Sequence, residues 1–308
     1  QRATAETIRN SGASLLSLIS DILDFSALEA NRIVLETLEF DLLSVVNDFS
    51  GIMAYQVQRK GVEFICSVDP NIPVGLIGDP GRLRQVLINL TDNVSKFTEV
   101  GEVSVHVSLK SETDDEALIL FSVRDTGIGI APEEHEPIFR HFTQTDGSST
   151  REQGGAGLGL TIAKELVEKM GGTIGLYSDL GVGSEFWFTA RFQKQKRQVR
   201  EGFGDIDRLA GLSVLVVDDN ITNRRILLAQ LKSWGACPEA ASGGKQALAL
   251  LREAEEKGTP YRLAVLDMQM PGMDGAELGS VIRHGDYSAT IPLVMMTSLC
   301  EQGDATRF

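Results

Sequence analysis

The chain has 308 residues, of which 42% are hydrophobic and 23% are charged, a composition typical of a globular protein long enough for two domains. Its formal net charge of −14 argues against a nucleic-acid-binding surface, which needs an excess of Lys and Arg. The three cysteines are scattered and form no CxxC pair, so we expect neither a zinc site nor a disulfide framework. No apolar run reaches the roughly 20 residues that cross a bilayer, so we expect no membrane contact within this chain.

Residues 1–30 carry a heptad-like apolar repeat, which predicts one long amphipathic helix. Such a helix cannot bury its own apolar stripe, and no partner helix follows nearby. We expect the partner to lie upstream or in a second copy of the chain, so that a dimeric helical bundle forms. The alternative is that the helix packs onto the domain that follows it. Because the chain begins with Gln1, we expect it to be a fragment of a longer protein.

The residues from 31 to 80 predict several short elements and the start of a further helix. We predict a linker over 31–40 with a short strand at 33–35, a helix from about 41 to 59, and a strand over 63–68. Asp79 directly precedes Pro80, and Asp at the N-cap with Pro at the first helical position predicts that a helix begins there.

This helix has one apolar and one polar face. Leu83, Leu87, Leu90 and Val94 recur at steps of three and four, which indicates a core stripe. Asn89 and Asn93 are four residues apart and therefore share a face. A lone Asn in a helix usually faces solvent. Here Lys96 follows, and glycine-rich stretches come at 125–130 and 154–159, so we interpret the helix as one wall of a nucleotide site.

The first glycine-rich stretch ends a strand. Two alternating patterns predict strands over 103–109 and 117–124, and the second strand runs into Asp-Thr-Gly-Ile-Gly-Ile at 125–130. Such a motif alone is often only a tight turn. As a functional motif it suits adenine, because an ionised carboxylate accepts a hydrogen bond from an amino group and glycines let the backbone approach the base.

The second glycine-rich stretch opens a helix. A polar run over 143–153 predicts a mobile loop, and Gly-Gly-Ala-Gly-Leu-Gly-Leu follows at 154–160. A glycine-rich turn at a helix N-terminus presents N–H groups and a positive dipole end, which suits phosphates. The spacing matches neither a Walker motif nor a βαβ dinucleotide turn. A predicted hairpin over 173–178 and 184–192 closes this domain, which we place at 31–195.

After a charged linker, placed at 196–210, strands and helices alternate over 211–308. This pattern predicts a doubly wound parallel α/β sheet. Asp218 and Asp219 end one predicted strand, Asp267 ends another, and Thr297 ends a third. An acid at one strand end is often a helix N-cap. Three acids and a hydroxyl at one sheet edge are better explained by Mg²⁺ and phosphoryl chemistry.

Taken together, these motifs resemble a hybrid sensor histidine kinase. Residues 1–192 resemble the transmitter core of that family. Its asparagine box matches the residues around Asn89 and Asn93, its phenylalanine box matches 138–142, and its two glycine boxes match 125–129 and 155–160. Residues 211–308 resemble a response-regulator receiver domain. The implied fold is an α+β two-layer sandwich of the Bergerat (GHKL) type, preceded by a dimerisation helix and followed by a truncated α/β flavodoxin-like receiver.

The resemblance implies that ATP and Mg²⁺ bind to the first domain. Asn93 would ligate Mg²⁺, Asn89 would assist at the phosphates or the metal, and Lys96 would lie near the phosphates as a point charge. Phe97 and Ile130 would line the adenine pocket. Loop 143–154 would be the lid over ATP. The other implied nucleotide-binding residues are Asp125, on the adenine amino group, and Gly127, Gly129, Gly155, Gly157, Leu158, Gly159 and Leu160.

In the receiver, the resemblance implies that Asp267 is the phosphoacceptor and that Thr297 responds to the phosphoryl group. Asp218, Asp219 and the Gln269 carbonyl would surround Mg²⁺ together with Asp267. The phosphoacceptor histidine box of the family is absent from the sequence, so we expect it upstream, with residues 1–30 as the second bundle helix. The final receiver strand of the family is also absent, and we expect more sequence to follow.

The predicted function is ATP-dependent phosphorylation of a histidine outside this chain, followed by transfer to Asp267. The partners would be a second copy, through the bundle, and a downstream phosphotransfer protein or response regulator. We expect a cytoplasmic location, with an upstream segment able to anchor the full-length protein in the inner membrane. Two alternatives are a GHKL-type ATPase, which would carry a general-base Glu where Asn89 stands, and a catalytically inactive nucleotide-binding or scaffold module.

Overall fold

The fold was analysed in a computed structural model, which describes residues 26, 33–139, 158–196, 209–285 and 291–296. The chain divides into two compact units, residues 1–199 and 200–308. The predicted helix over 1–30, the predicted lid over 143–154, Gly155, Gly157 and Thr297 lie outside the described residues. Within the described ranges, no helix is both long and apolar enough to span a bilayer.

The first unit is built on a seven-stranded sheet. The strands are β1 (Leu38–Asp41), β2 (Glu63–Val68), β3 (Gly75–Gly78), β4 (Glu102–Glu112), β5 (Glu116–Asp125), β6 (Ile174–Asp179) and β7 (Gly183–Lys194). Their order in the sheet is β1-β3-β7-β5-β4-β2, and β6 also pairs with β7. Strands β2 and β4 are parallel, and the other neighbours are antiparallel.

Three helices cover one face of this sheet: α1 (Leu42–Gln58), α2 (Pro80–Lys96) and α3 (Gly159–Lys169). Alternate residues of the long strands and the apolar stripes of the helices form one buried cluster, because a strand directs every second side chain to the same face. All four predicted stripe residues of α2 are at most 1% exposed. The result is the two-layer α+β sandwich that the sequence predicts.

The start of this unit corrects one prediction. Residues 33–37 do not form the predicted strand; the strand is β1, and it pairs with β3 through Leu38 and Gly78. Within 33–37 the backbone N–H of Glu36 instead donates to the Asp79 carboxylate, at 3.0 Å. A strand requires a neighbouring strand to pair with, and an apolar triplet carries no information about where that neighbour lies. Strand β3 was not predicted, since its four residues include two glycines.

The second unit contains a four-stranded parallel sheet. Its strands are β8 (Ser213–Val217), β9 (Cys237–Ala241), β10 (Leu263–Asp267) and β11 (Leu293–Met296), in the order β11-β10-β8-β9. Its helices are α4 (Ile221–Ser233), α5 (Gly244–Glu256) and α6 (Gly275–His284). Two separate apolar clusters lie on the two faces of the sheet, one including residues of α4 and the other residues of α5 and α6. This confirms the predicted doubly wound α/β fold.

Candidate functional site

The asparagine face of α2 meets the start of α3. The side-chain amide of Asn89 donates to the backbone carbonyl of Gly159, at 3.1 Å, across 70 residues of sequence. Asn89 and Asn93 are both half-buried, at the edge of the apolar stripe. The two motifs, which lie far apart in the sequence, are therefore in contact. The Asn89 carboxamide lies beside the N-terminus of a helix, where anionic groups are stabilised.

Leu158 and Leu160, at the start of α3, are buried in the core with 2% and 8% of their surfaces exposed. Their side chains anchor the helix start, so what these residues could offer a nucleotide is backbone N–H groups. The first N–H groups of a helix have no partner within the helix and are available to phosphate oxygens.

The C-terminal end of α2 carries charge. Lys96, the last helical residue, is exposed, and Phe97, the C-cap, is 36% exposed. Asp92 lies one turn before Lys96 and is half-buried. Burial raises the pKa of the Asp92 carboxyl, and the nearby cations of Lys96 and Lys60 partly oppose that rise.

Asp125 ends β5 as a buried carboxylate, 4% exposed. Its Oδ1 accepts a hydrogen bond from the backbone N–H of Gly127, at 2.6 Å. Burial raises the pKa of this carboxyl, while hydrogen bonds from Gly127 and Ser184 and the charge of Arg124 oppose the rise. An ionised carboxylate can accept several hydrogen bonds, so its chemistry fits the exocyclic amino group of adenine.

The turn after Asp125 brings that carboxylate close to α2. A Cβ atom at Gly127 would collide with the carbonyl oxygen of Phe97, so the C-terminus of α2 lies directly against this turn. Gly129 has a φ of 70° and lies equally close to the backbone of Asp179, which explains why glycine is needed at both positions. The backbone N–H of Ile130 donates to Ser178 Oγ, at 2.7 Å, which fixes the end of the turn.

Asp218, Asp219 and Asp267 of the second unit meet at one edge of the parallel sheet. Each offers a carboxylate oxygen, and these oxygens all lie within 4.8 Å of one another. Asp218 is 2% exposed; its Oδ1 accepts from the backbone N–H of Asn220, at 2.8 Å. Several hard oxygen ligands in one place suit Mg²⁺, so the residues present fit this ion. The carbonyl of Gln269 was predicted to join these three carboxylates. Gln269 lies two residues after Asp267 in the sequence, and it is exposed.

Several supporting residues were not predicted from the sequence. Arg224 of α4 donates to the backbone carbonyl of Asp218, at 2.6 Å, and so fixes the backbone at the carboxylate cluster. In the first unit, Ser178 and Ser184 support the turn and the Asp125 carboxylate. Asp92 could have been noticed, since it is a carboxylate between two motif asparagines.

Comparison with known proteins divides the chain into the same two domains. Residues 78–194 match the family of histidine kinase-, DNA gyrase B- and HSP90-like ATPases, and residues 214–308 match the response regulator receiver domain. Hybrid signal transduction histidine kinase K of Dictyostelium discoideum is 35% identical over 296 residues, which are 92% of this chain and 24% of that protein. Sensor protein GacS of Pseudomonas syringae pv. syringae is 38% identical over 260 residues, 84% of this chain and 28% of GacS. The chain thus spans about a quarter of the length of these relatives.

Among solved structures, that of full-length ShkA in complex with AMPPNP is similar, with a TM-score of 0.71 and 34% identity over 90% of this chain and 54% of ShkA. The fold and the two sites therefore define an ATP-binding domain of the GHKL type joined to a receiver domain. The chain belongs to the hybrid sensor histidine kinases.

Proposed function

We propose that this chain binds Mg-ATP, transfers the γ-phosphoryl group to a histidine outside the chain, and passes it on to Asp267. One observation carries the proposal. The same chain contains a first unit, whose asparagine-bearing helix fits a nucleotide site, and a second unit, which has a receiver-type cluster of three carboxylates. A phosphoryl group taken from ATP thus has an acceptor in the same molecule. Residues 1–30 are assigned to the bundle, 31–195 to the catalytic domain, 196–210 to the linker and 211–308 to the receiver.

In the first step the chain's residues bind and orient ATP. Asp125 accepts from the adenine amino group, and Phe97 and Ile130 line the base. Lys96 and the N-terminus of α3 hold the phosphates, together with the second glycine box, Gly155–Leu160. Asn93 would hold Mg²⁺, with Asn89 assisting at the phosphates or the metal, and Mg²⁺ when bound neutralises charge on the phosphate oxygens. The histidine nitrogen forms a bond to the γ-phosphorus as the bond to the β–γ bridging oxygen breaks and ADP leaves.

In the second step an oxygen of Asp267 forms a bond to the same phosphorus, and the bond to the histidine nitrogen breaks. Asp218, Asp219 and the carbonyl of Gln269 would hold the receiver's Mg²⁺ beside Asp267. Thr297 would respond to the phosphoryl group. The product is an acyl phosphate on Asp267, and the downstream partner would be a phosphotransfer protein or response regulator.

The residue at position 89 supports a kinase rather than a hydrolase. Activation of water requires a general base, and a carboxamide cannot take a proton from water near neutral pH. The Asn89 amide is also engaged, since it donates to the Gly159 carbonyl. The site would therefore hold ATP for attack by a side chain and hydrolyse it slowly. We place the reaction in the cytoplasm, which supplies ATP, and expect a homodimer through the bundle.

The test is to mix the chain with γ-labelled ATP, Mg²⁺ and a separately produced helical bundle from a related kinase that carries the phosphoacceptor histidine. We expect acid-labile label on the bundle histidine and no label with an Asn93→Ala chain. Rapid phosphate release without labelled histidine would instead indicate an ATPase. Bound nucleotide with neither label nor release would indicate a binding module.

A further inference from the structure

The last turn of α2 is fixed by side chains at its carbonyl groups. Ser95 Oγ donates to the Asp92 carbonyl at 3.1 Å, and Thr98 Oγ1 donates to the Val94 carbonyl at 2.9 Å. The Ser95 carbonyl accepts from Lys60 Nζ, at 2.8 Å, across 35 residues of sequence. Lys60 is thus a link from a different element to the turn that carries Asn93 and Lys96.

Lys60 reaches this place because of how α1 ends. The helix stops at Gln58, and the backbone N–H of Lys60 donates to the Val57 carbonyl at 3.0 Å before the chain turns into β2. Val57 and Val62, on either side of the turn, are 1% and 3% exposed. The backbone position of Lys60 is therefore held by the core, and its cation meets the negative end of the α2 dipole.

Asn93 and Lys96, the residues assigned to Mg²⁺ and the phosphates, lie two positions before and one position after Ser95 on this turn. The hydrogen bond from Lys60 therefore fixes the backbone between these two residues.

We propose that Lys60 is a positioning residue for the nucleotide site, which holds the last turn of α2 through the Ser95 carbonyl so that Asn93 and Lys96 face the nucleotide. This role rests on the proposed function, because it concerns the same ATP site. Lys60 touches neither ATP nor the reacting atoms; it acts through Ser95.

The experiment measures the dissociation constant of Mg-ATP for the full chain and three variants. We expect Lys60→Met to weaken binding roughly tenfold, as loss of a charge-assisted hydrogen bond predicts. Lys60→Arg keeps the charge and a donor, so it should stay within about twofold of the parent chain. Arg84→Met is the matched control, because it removes a charged contact of the first half of α2, the 2.9 Å pair with Asp48 of α1.

The decisive comparison is between Lys60→Met and Lys60→Arg, because only the second variant can still donate to the Ser95 carbonyl. Unchanged affinity in Lys60→Met would overturn the inference. A loss in Arg84→Met as large as that in Lys60→Met would also overturn it, since the effect would then not be specific to the last turn of α2. Thermal unfolding of each variant establishes that it is folded. A parent chain that binds no nucleotide would refute the proposed function itself, which separates the two failures.

Discussion

Asp125 illustrates at the scale of one residue how a binding group can oppose stability. Its carboxylate is buried at the end of β5, and burial raises its pKa from the ordinary value of 3.8. The folded state therefore binds a proton more readily than the unfolded state. The stability that Asp125 contributes is present below its unfolded pKa and is lost as the pH rises through its folded pKa. Above its folded pKa the ionised, buried carboxylate opposes folding, and we expect bound ATP to offset that cost.

We predict that Asp125→Asn weakens ATP binding by at least about tenfold, because an amide offers an N–H where the adenine amino group needs an acceptor. The same substitution should raise the free energy of unfolding at pH values above the folded pKa of Asp125, and should flatten the dependence of that free energy on pH above the ordinary value of 3.8. ATP titration and urea unfolding at several pH values measure both effects. Asp114→Asn, at an exposed turn position, is the control and should change neither. Unchanged ATP affinity in Asp125→Asn would contradict the assignment.

At the scale of the element, α2 organises the first unit. Its N-cap, Asp79, is 6% exposed and accepts from two backbone N–H groups, those of Arg82 at 2.9 Å and Glu36 at 3.0 Å. One carboxylate thus caps the helix and holds the segment that leads into β1. Its other end carries the residues that we assign to ATP.

We predict that Asp79→Ala destabilises the first unit by ~2 kcal/mol, since it removes a cap and leaves two donors without their acceptor. Asp79→Asn, which keeps one acceptor oxygen, should lose about half as much. The measurement is urea unfolding followed by Trp187 fluorescence in a Trp234→Phe background, so that the signal reports on the first unit. Equal stability of the Ala variant and the parent chain would show that the cap is dispensable.

The elements that were predictable from sequence carry their own local signals. The start of α2 follows from Asp79 and Pro80, and its two faces follow from helical spacing. Strand β1 was placed too early and β3 was missed, because each is four residues long and forms only by pairing with strands that lie elsewhere in the sequence. The contact between Asn89 and Gly159 could be inferred only from the family resemblance, since helical periodicity does not specify which helices become neighbours. Lys60 had no sequence signal, because its role depends on where α1 ends in space.

At the scale of the whole molecule, the chain is two units for which we propose different ligands. Ligands that bind only the folded state raise the stability of the unit that holds them. We predict that Mg-ATP raises the melting temperature reported by Trp187 and leaves that reported by Trp234 unchanged. Beryllofluoride with Mg²⁺, which mimics an acyl phosphate, should do the reverse.

The control variants for these shifts are Asp267→Asn, which should lose the beryllofluoride shift, and Glu256→Gln, an exposed position on α5 that should keep it. Undiminished beryllofluoride binding in Asp267→Asn would refute Asp267 as the acceptor. A shift of both units by one ligand would show that their stabilities are coupled.

The central claim is that one phosphoryl group moves from ATP to histidine and then to Asp267. A pulse–chase experiment with γ-labelled ATP, the chain and the supplied histidine-bearing bundle tests it most directly. The label should appear first as acid-labile phosphohistidine and then as base-labile acyl phosphate on the chain. In Asp267→Asn it should remain on the histidine. Label that reaches the chain without passing through histidine, or that reaches the Asp267→Asn chain equally well, would contradict the account.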